Sequence, residues 1–273
     1  MILAVAINKG GVGKSTTCGN LAAVAYERGQ RVLIVDADNQ GNAALSFGIN
    51  PDDFDLTIYD ALTEQAHPDE CIYRLYGEEP DGPCIDLMPA GDEMAVFEID
   101  VLIDQENFDY RFEHMRRMLT RVSSDYDAIL IDTPPNIGVT VGNVLTAADG
   151  VLVPFHPERY SMRSLTKILQ AIQDFRTVQN SRLKFVGTFP VLVDSRTILH
   201  TDTIAEVEKY SREAGFTMFQ TMIPRSIRVS ASVSYKGQPL VMASPDDPLA
   251  DLYRRLWDEV LENQQTREEE RKA

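Results

Sequence analysis

The chain has 273 residues, 44% of them hydrophobic and 25% charged, and a formal net charge of −16. That length buries a substantial core in one large domain or two small ones, and no apolar run approaches the roughly 18 residues of a membrane-spanning helix. Three cysteines without a C-x-x-C pair and four scattered histidines argue against a disulfide framework or a zinc cluster and fit a reducing cytoplasm.

Met1–Ile7 is short, apolar and β-branched, which predicts a buried strand, and it runs into a glycine-rich motif rather than a signal-peptide cleavage site. Ser15 to about Arg28 predicts a helix with Leu21, Val24 and Ala25 on one face and Gly29 at its end, and Arg31–Asp36 predicts a second buried strand. Together they form a strand–helix–strand unit with a parallel pair. A short helix is expected around Ile58–Thr63, a turn over Glu78–Pro83, a strand at Ile85–Met88 and a helix over Tyr110–Val122. Ala128–Ile131 predicts a strand ending at Asp132, Val141–Ala148 a helix and Gly150–Val153 a strand. Met162, Leu165, Ile168, Leu169, Ile172 and Phe175 form one helical stripe, Leu183–Leu192 contains a strand, and Thr203–Ala214 is helical. Leu249, Leu252, Tyr253, Leu256, Trp257, Val260 and Leu261 form a closing amphipathic stripe.

This alternation, without linker or repeat, predicts a single doubly wound α/β domain with a mostly parallel sheet over residues 1–262 and a polar, frayed tail over 263–273. Charge is uneven along it. Residues 1–150 hold 26 acids against 9 bases and residues 151–273 hold 16 against 17, with 18 acids and one base in 52–109 and nine bases to five acids in 176–236. Either this is ordinary solvated surface, or a polarised molecule meets phosphate with its basic face.

Asn8-Lys9-Gly10-Gly11-Val12-Gly13-Lys14-Ser15-Thr16 lies between the first strand and the first helix, the context a phosphate needs. Glycines let backbone N–H groups converge on the oxygens, and a helix N-terminus adds partial positive charge. Lys14 would reach the β- and γ-phosphates and Ser15 would bind Mg²⁺; Asn8 stands where G-x-x-x-x-G-K-[ST] has glycine. Asp36, Asp38 and Asp132 all fall where strands end. Asp132 can hold the water shell of Mg²⁺, and of Asp36 and Asp38 one could approach the metal shell while the other orients water. The plainer reading of each is a turn acid or an N-cap.

On these residues the chain resembles the ParA partition ATPases, within the deviant Walker A group of P-loop ATPases that also contains MinD and the nitrogenase iron protein. The resemblance covers nearly the whole chain and is carried by Lys9–Thr16, Asp36-Ala37-Asp38-Asn39-Gln40-Gly41-Asn42, Ile131-Asp132-Thr133-Pro134-Pro135 and Ile223–Arg228. It implies a Mg²⁺-dependent ATPase that sandwiches ATP between two subunits of a homodimer. Lys9 then reaches the partner's phosphates, Lys9, Gly10, Gly11, Val12, Gly13, Lys14, Ser15 and Thr16 hold nucleotide, and Lys9, Lys14 and Asp38 serve hydrolysis. Ser15, Asp36 and Asp132 match the metal positions, while Pro224 and Arg225 lie in the segment against adenine. The resemblance also implies that the dimer binds DNA without sequence preference, with Arg196 and Arg228 at DNA-contacting positions. A ParB-like, centromere-binding adaptor stimulates hydrolysis and releases it, so that a cytoplasmic, nucleoid-associated protein segregates plasmid, chromosome or other cargo. The wider candidate patch includes Arg182, Lys184, Arg212, Arg225 and Lys236.

Three departures accompany the match. Asn39 stands where relatives have proline, 232–237 differs from the usual Glu-Ala-Pro-Ser run, and the chain opens on its phosphate loop without a helix-turn-helix for operator binding. The alternative is a MinD-like membrane-associated positioning ATPase, which needs a basic amphipathic C-terminal helix. Opposite the closing stripe stand four acids (Asp251, Asp258, Glu259, Glu262) and two bases (Arg254, Arg255), so that helix is expected to pack on the core, with no membrane partner. An iron–sulfur role would need cysteines at a dimer axis, whereas Cys18 reads as core filler.

Overall fold

Leu3–Val5, Val32–Val35 and Ala128–Ile131 are buried throughout, as parallel strands covered on both faces must be. The computed structural model describes residues 1–104 and 108–272. In chain order its elements are β1 (Ile2–Val5), α1 (Lys14–Glu27), β2 (Arg31–Asp36), α2 (Asn42–Leu45), α3 (Ile58–Leu62), β3 (Tyr73–Tyr76), β4 (Cys84–Met88), α4 (Met94–Ile103), α5 (His114–Val122), β5 (Ala128–Asp132), α6 (Val139–Ala147), β6 (Gly150–Phe155), α7 (Ser161–Val178), β7 (Lys184–Val193), α8 (Ile198–Ala214), β8 (Ile223–Pro224), α9 (Ile227–Lys236), α10 (Leu240–Ala243) and α11 (Pro248–Lys272).

The strands form one eight-stranded sheet in the order β3-β4-β2-β5-β1-β6-β7-β8. All neighbours run parallel except β3, which pairs antiparallel with β4 at one edge. One helical layer contains α1, α10 and α11, and the other contains α3 to α7. Because seven strands point the same way, the loops after β1, β2, β5, β6, β7 and β8 share one rim of the sheet, the rim where open α/β sheets bind ligands.

The doubly wound, mostly parallel architecture is the one the sequence predicts. Several boundaries differ for physical reasons. Strand β3 is a half-exposed edge strand, Tyr-Arg-Leu-Tyr, and lacks the apolar run that marks a central strand. Helix α4 is apolar on both sides, with Met94, Phe97 and Val101 buried and Val96, Ile99, Leu102 and Ile103 exposed, so no single stripe marks it. Helix α8 begins at Ile198 rather than Thr203, because Ile198 and Leu199 of its first turn are exposed. The last helix, expected to end near 262, runs through Lys272. Its stripe packs as expected, with Tyr253, Leu256, Trp257 and Val260 buried against the core, and Cys18 is fully buried. No helix among the described residues is long and apolar enough to cross a membrane.

Candidate active site

The loop after β1 turns sharply enough to wrap a ligand because Gly11 and Gly13 adopt φ of 68° and 71°, left-handed values that side chains disfavour. Gly13 is the N-cap of α1 and makes no side-chain cap, so the first N–H groups of that helix are left for a ligand. Asn8 needs no such freedom, since it is not among the positive-φ residues, and its amide donates to Pro135 O at 3.1 Å, tying the loop to the segment after β5. Its presence in place of glycine is thereby explained. Lys14 is buried and donates to Lys9 O at 3.5 Å.

A cavity of about 980 Å³ opens on this loop. Gly10, Gly11, Val12, Gly13, Lys14, Ser15, Thr16, Asp38, Pro224 and Arg225 all line it. The wall opposite the glycines is apolar, built from Val191, Leu192, Ile223, Pro224 and Ile227. One end therefore suits phosphate and the other a flat, weakly polar ring. Leu192 sits at φ 54° beside a register shift in the β7–β8 pairing, a strained bulge for a bulky residue.

Three residues expected at the nucleotide and metal, Asp36, Asp132 and Lys9, lie outside that lining. Asp36 and Asp132 are fully buried at the ends of β2 and β5, and the strand register sets them side by side. Asp36 accepts from Asp38 N at 3.0 Å and Ala43 N at 2.9 Å, so it also acts as the loop cap that its turn reading anticipated. Both oxygens of Asp132 are buried without a hydrogen-bond partner. Burial raises the Asp132 pKa to about 7, although the nearby Ser15 hydroxyl and Lys14 pull the other way. Burial, and then the charge of Asp132, also raise Asp36 well above the carboxylate range. A buried carboxylate with no full hydrogen bond, with the Ser15 hydroxyl close by and a second carboxylate beside it, fits a cation. No group of three or more His, Cys, Asp or Glu among the described residues could hold a metal. Mg²⁺ takes one or two carboxylates from a protein and completes its shell with water and phosphate oxygens. The third residue, Lys9, turns away from the cradle onto Glu158 at 2.5 Å.

These carboxyls make a pH prediction. In the nucleotide-free folded protein Asp132 keeps its proton to higher pH than in the unfolded chain, so the folded state binds more protons up to about pH 7 and stability falls as pH rises through that window. Asp132→Asn should therefore raise the melting stability of the nucleotide-free protein more at pH 8 than at pH 5, by about 2–3 kcal/mol at about 1.36 kcal/mol per pH unit. Comparing the two pH values cancels what the amide itself costs. Equal shifts at both would show that Asp132 does not titrate in this range.

Arg196 and Arg228 lie outside the cavity. Arg196 follows β7 and forks onto Asp194 at 2.9 and 2.8 Å, which holds that carboxyl down to about 2. Arg228, in the first turn of α9, pairs with Asp247 at 3.2 Å. The wider basic patch is split. Lys184 opens β7 and Arg196 follows its end, so roughly 30 Å of strand separates them and Arg182–Lys184 fall on the opposite rim. Sequence reasoning missed Glu158, His156 and the wall residues Val229 and Ser230, because nothing local marks residues whose partners lie far away in the chain.

The AAA domain family matches residues 1–185. Over 264 residues the chain is 35% identical to the sporulation initiation inhibitor protein Soj of Bacillus subtilis, with 96% of this chain and 98% of Soj covered. It is 32% identical over 266 residues to the chromosome partitioning protein ParA of Myxococcus xanthus, covering 95% and 87%. Among solved structures, a cobyrinic acid a,c-diamide synthase from Mycobacterium smegmatis with bound ATP analog and magnesium is 30% identical, with a TM-score of 0.79 over 97% of this chain and 95% of that one.

Proposed function

The chain belongs to the Soj/ParA family of partitioning ATPases, and from that premise we propose that it is an ATP-driven positioning protein that uses nucleoid DNA as its track. It binds ATP and Mg²⁺ in the cavity described above, with the base against Pro224 and Arg225 and the phosphates in the loop Lys9–Thr16. Ser15, Asp36 and Asp132 would hold the metal, which neutralises charge developing on the phosphates. Lys14 binds the β- and γ-phosphates, and Asp38 orients the attacking water. Two ATP-bound copies form the DNA-binding state, and a ParB-like adaptor stimulates hydrolysis and ends it.

One observation carries this reading. The loop bears two lysines with opposite fates: Lys14 is buried and lines the cavity, while Lys9 points out of it to the rim. A second cation at the rim supports the reading that it serves another subunit's phosphates, which would link nucleotide to dimerisation thermodynamically. DNA affinity built from two weak patches on one duplex then follows dimerisation through effective concentration. That is how a chain of net charge −16 can bind a polyanion only when paired.

Sedimentation with random-sequence duplex, with anionic vesicles, or with neither, each in ATP or ADP, tests the proposal. Binding to the duplex in ATP alone is expected, whereas vesicle binding without duplex binding would replace this reading by the MinD-like one. Changing Arg196 and Arg228 together should weaken duplex binding and reduce the salt slope by about one for each phosphate no longer neutralised, with ATP affinity intact. Their carboxylate partners do not oppose this, because exposed ion pairs exchange at little cost. Unchanged affinity in the double variant would move the DNA-binding surface elsewhere.

A further inference from the structure

We infer that Glu158 is a positioning residue for Lys9, a brake that keeps this lysine in its own subunit until a second copy draws it away; the inference rests on the trans role proposed for Lys9. The ammonium of Lys9 lies 2.5 Å from Glu158 Oε2, across 149 positions of sequence. The lysine's carboxylate partner is itself held firmly. Glu158 N donates to Ser161 Oγ at 2.9 Å and to His156 O at 2.8 Å, and Ser161 Oγ donates to the same carbonyl, so the loop after β6 closes on itself. Glu158 Oε1 lies 3.0 Å from His156 Nδ1, and His156 Nε2 lies 3.5 Å from Arg225 Nη2. The imidazole tautomer with its proton on Nδ1 suits both neighbours, offering a donor to Glu158 and a lone pair to Arg225. The ring of His156 packs edge-on against His200 at 5.4 Å, and His200 Nδ1 accepts from Asp194 N at 2.9 Å. Lys9 is thus tied to a preformed polar line that reaches Arg225 on the opposite cavity wall.

The consequence is energetic. A lysine that serves the partner's phosphates must exchange the Glu158 carboxylate for a phosphate. The pair therefore stabilises the single subunit relative to the dimer. With Lys9 25% and Glu158 46% exposed, the restraint is of the weak, reversible kind, worth about two- to fivefold in an equilibrium. A symmetric dimer releases two such pairs, which gives about four- to twenty-five-fold in the dimer constant. Glu158 thereby sets the protein concentration at which ATP produces the paired state, without touching the nucleotide.

The test is sedimentation velocity of the full chain with Mg²⁺ and a non-hydrolysable ATP analogue. Glu158→Gln keeps the shape and removes the charge, and it should tighten the dimer about four- to twenty-five-fold. Glu158→Asp should return the constant toward that of the native chain. A second readout does not need the dimer. In the nucleotide-free subunit, acetylation of the Lys9 amine followed by peptide mass spectrometry should speed up about two- to fivefold in Glu158→Gln, with the Lys14 rate unchanged. An unmoved or weakened dimer in Glu158→Gln, beside a Lys9→Ala variant that cannot dimerise, overturns this inference alone. A Lys9→Ala variant that dimerises normally overturns the trans role of Lys9, and this inference with it.

Discussion

Lys14→Ala is expected to weaken ATP binding by about a hundredfold or more. Lys14 is only 7% exposed, and its hydrogen bond to Lys9 O, at 3.5 Å, is long. A buried ammonium with donors to spare gains most when phosphate oxygens arrive. Charge-assisted hydrogen bonds are worth about 1.5–3 kcal/mol each, and two of them correspond to roughly two to four decades of affinity. Thermal melting gives a direct measure. At ATP concentrations about a hundred times the native Kd, ligand binding adds about 2.7 kcal/mol to stability, and a hundredfold weaker site would retain about 0.4 kcal/mol. Titration calorimetry on the same variant should show the matching loss. A native-like Kd would mean that Lys14 does not contact the phosphates.

Asp38→Ala is expected to keep ATP affinity within a few-fold and to lower hydrolysis by about 10²–10⁴, the usual range for a general base or water-orienting group. The two neighbouring acids are held differently. Asp36 has both oxygens engaged by backbone N–H groups. Asp38 lines the cavity, and its Oδ1 accepts from Gln40 N at 3.2 Å, while no described residue donates to Oδ2. An oxygen left over at a phosphate cavity supports the water-orienting reading of Asp38. Single-turnover hydrolysis and sedimentation with ATP measure the two halves of the expectation: the variant should remain a dimer for as long as ATP lasts. Hydrolysis at the native rate would leave Asp38 a turn acid and nothing more.

The phosphate loop was legible in the sequence because its determinants are local. A buried strand, positive-φ glycines and a helix start are adjacent in the chain, and each is set by backbone sterics and apolar period. Asp132 was legible as a strand end, but only the family resemblance, and no local pattern, put Asp36 at the same metal, because the 36–132 contact depends on β2 choosing β5 as its neighbour. The same limit hid Glu158 and His156, whose importance lies wholly in what faces them from the loop after β1 and from the segment after β8. Arg182 and Lys184 looked like company for Arg196 when charge was counted along the chain. A straight ten-residue strand separates them in space, which a linear count cannot register. Helix α4 is unmarked for another reason, since it is apolar on its exposed side as well as on its buried one and no single stripe stands out.

The bulge at Leu192 has a kinetic signature of its own. A leucine kept in a glycine-like conformation persists only while the short edge pairing of β7 with the two residues of β8 over-determines it. That pairing also anchors Arg225, whose N–H donates to Val193 O at 2.9 Å. The side of the pocket farthest from the reacting phosphate is thus mounted on the least secure margin of the sheet. Changes that loosen it should surface as a higher KM with kcat preserved, marking this margin as the place where ATP appetite can drift between relatives while turnover chemistry stays constant.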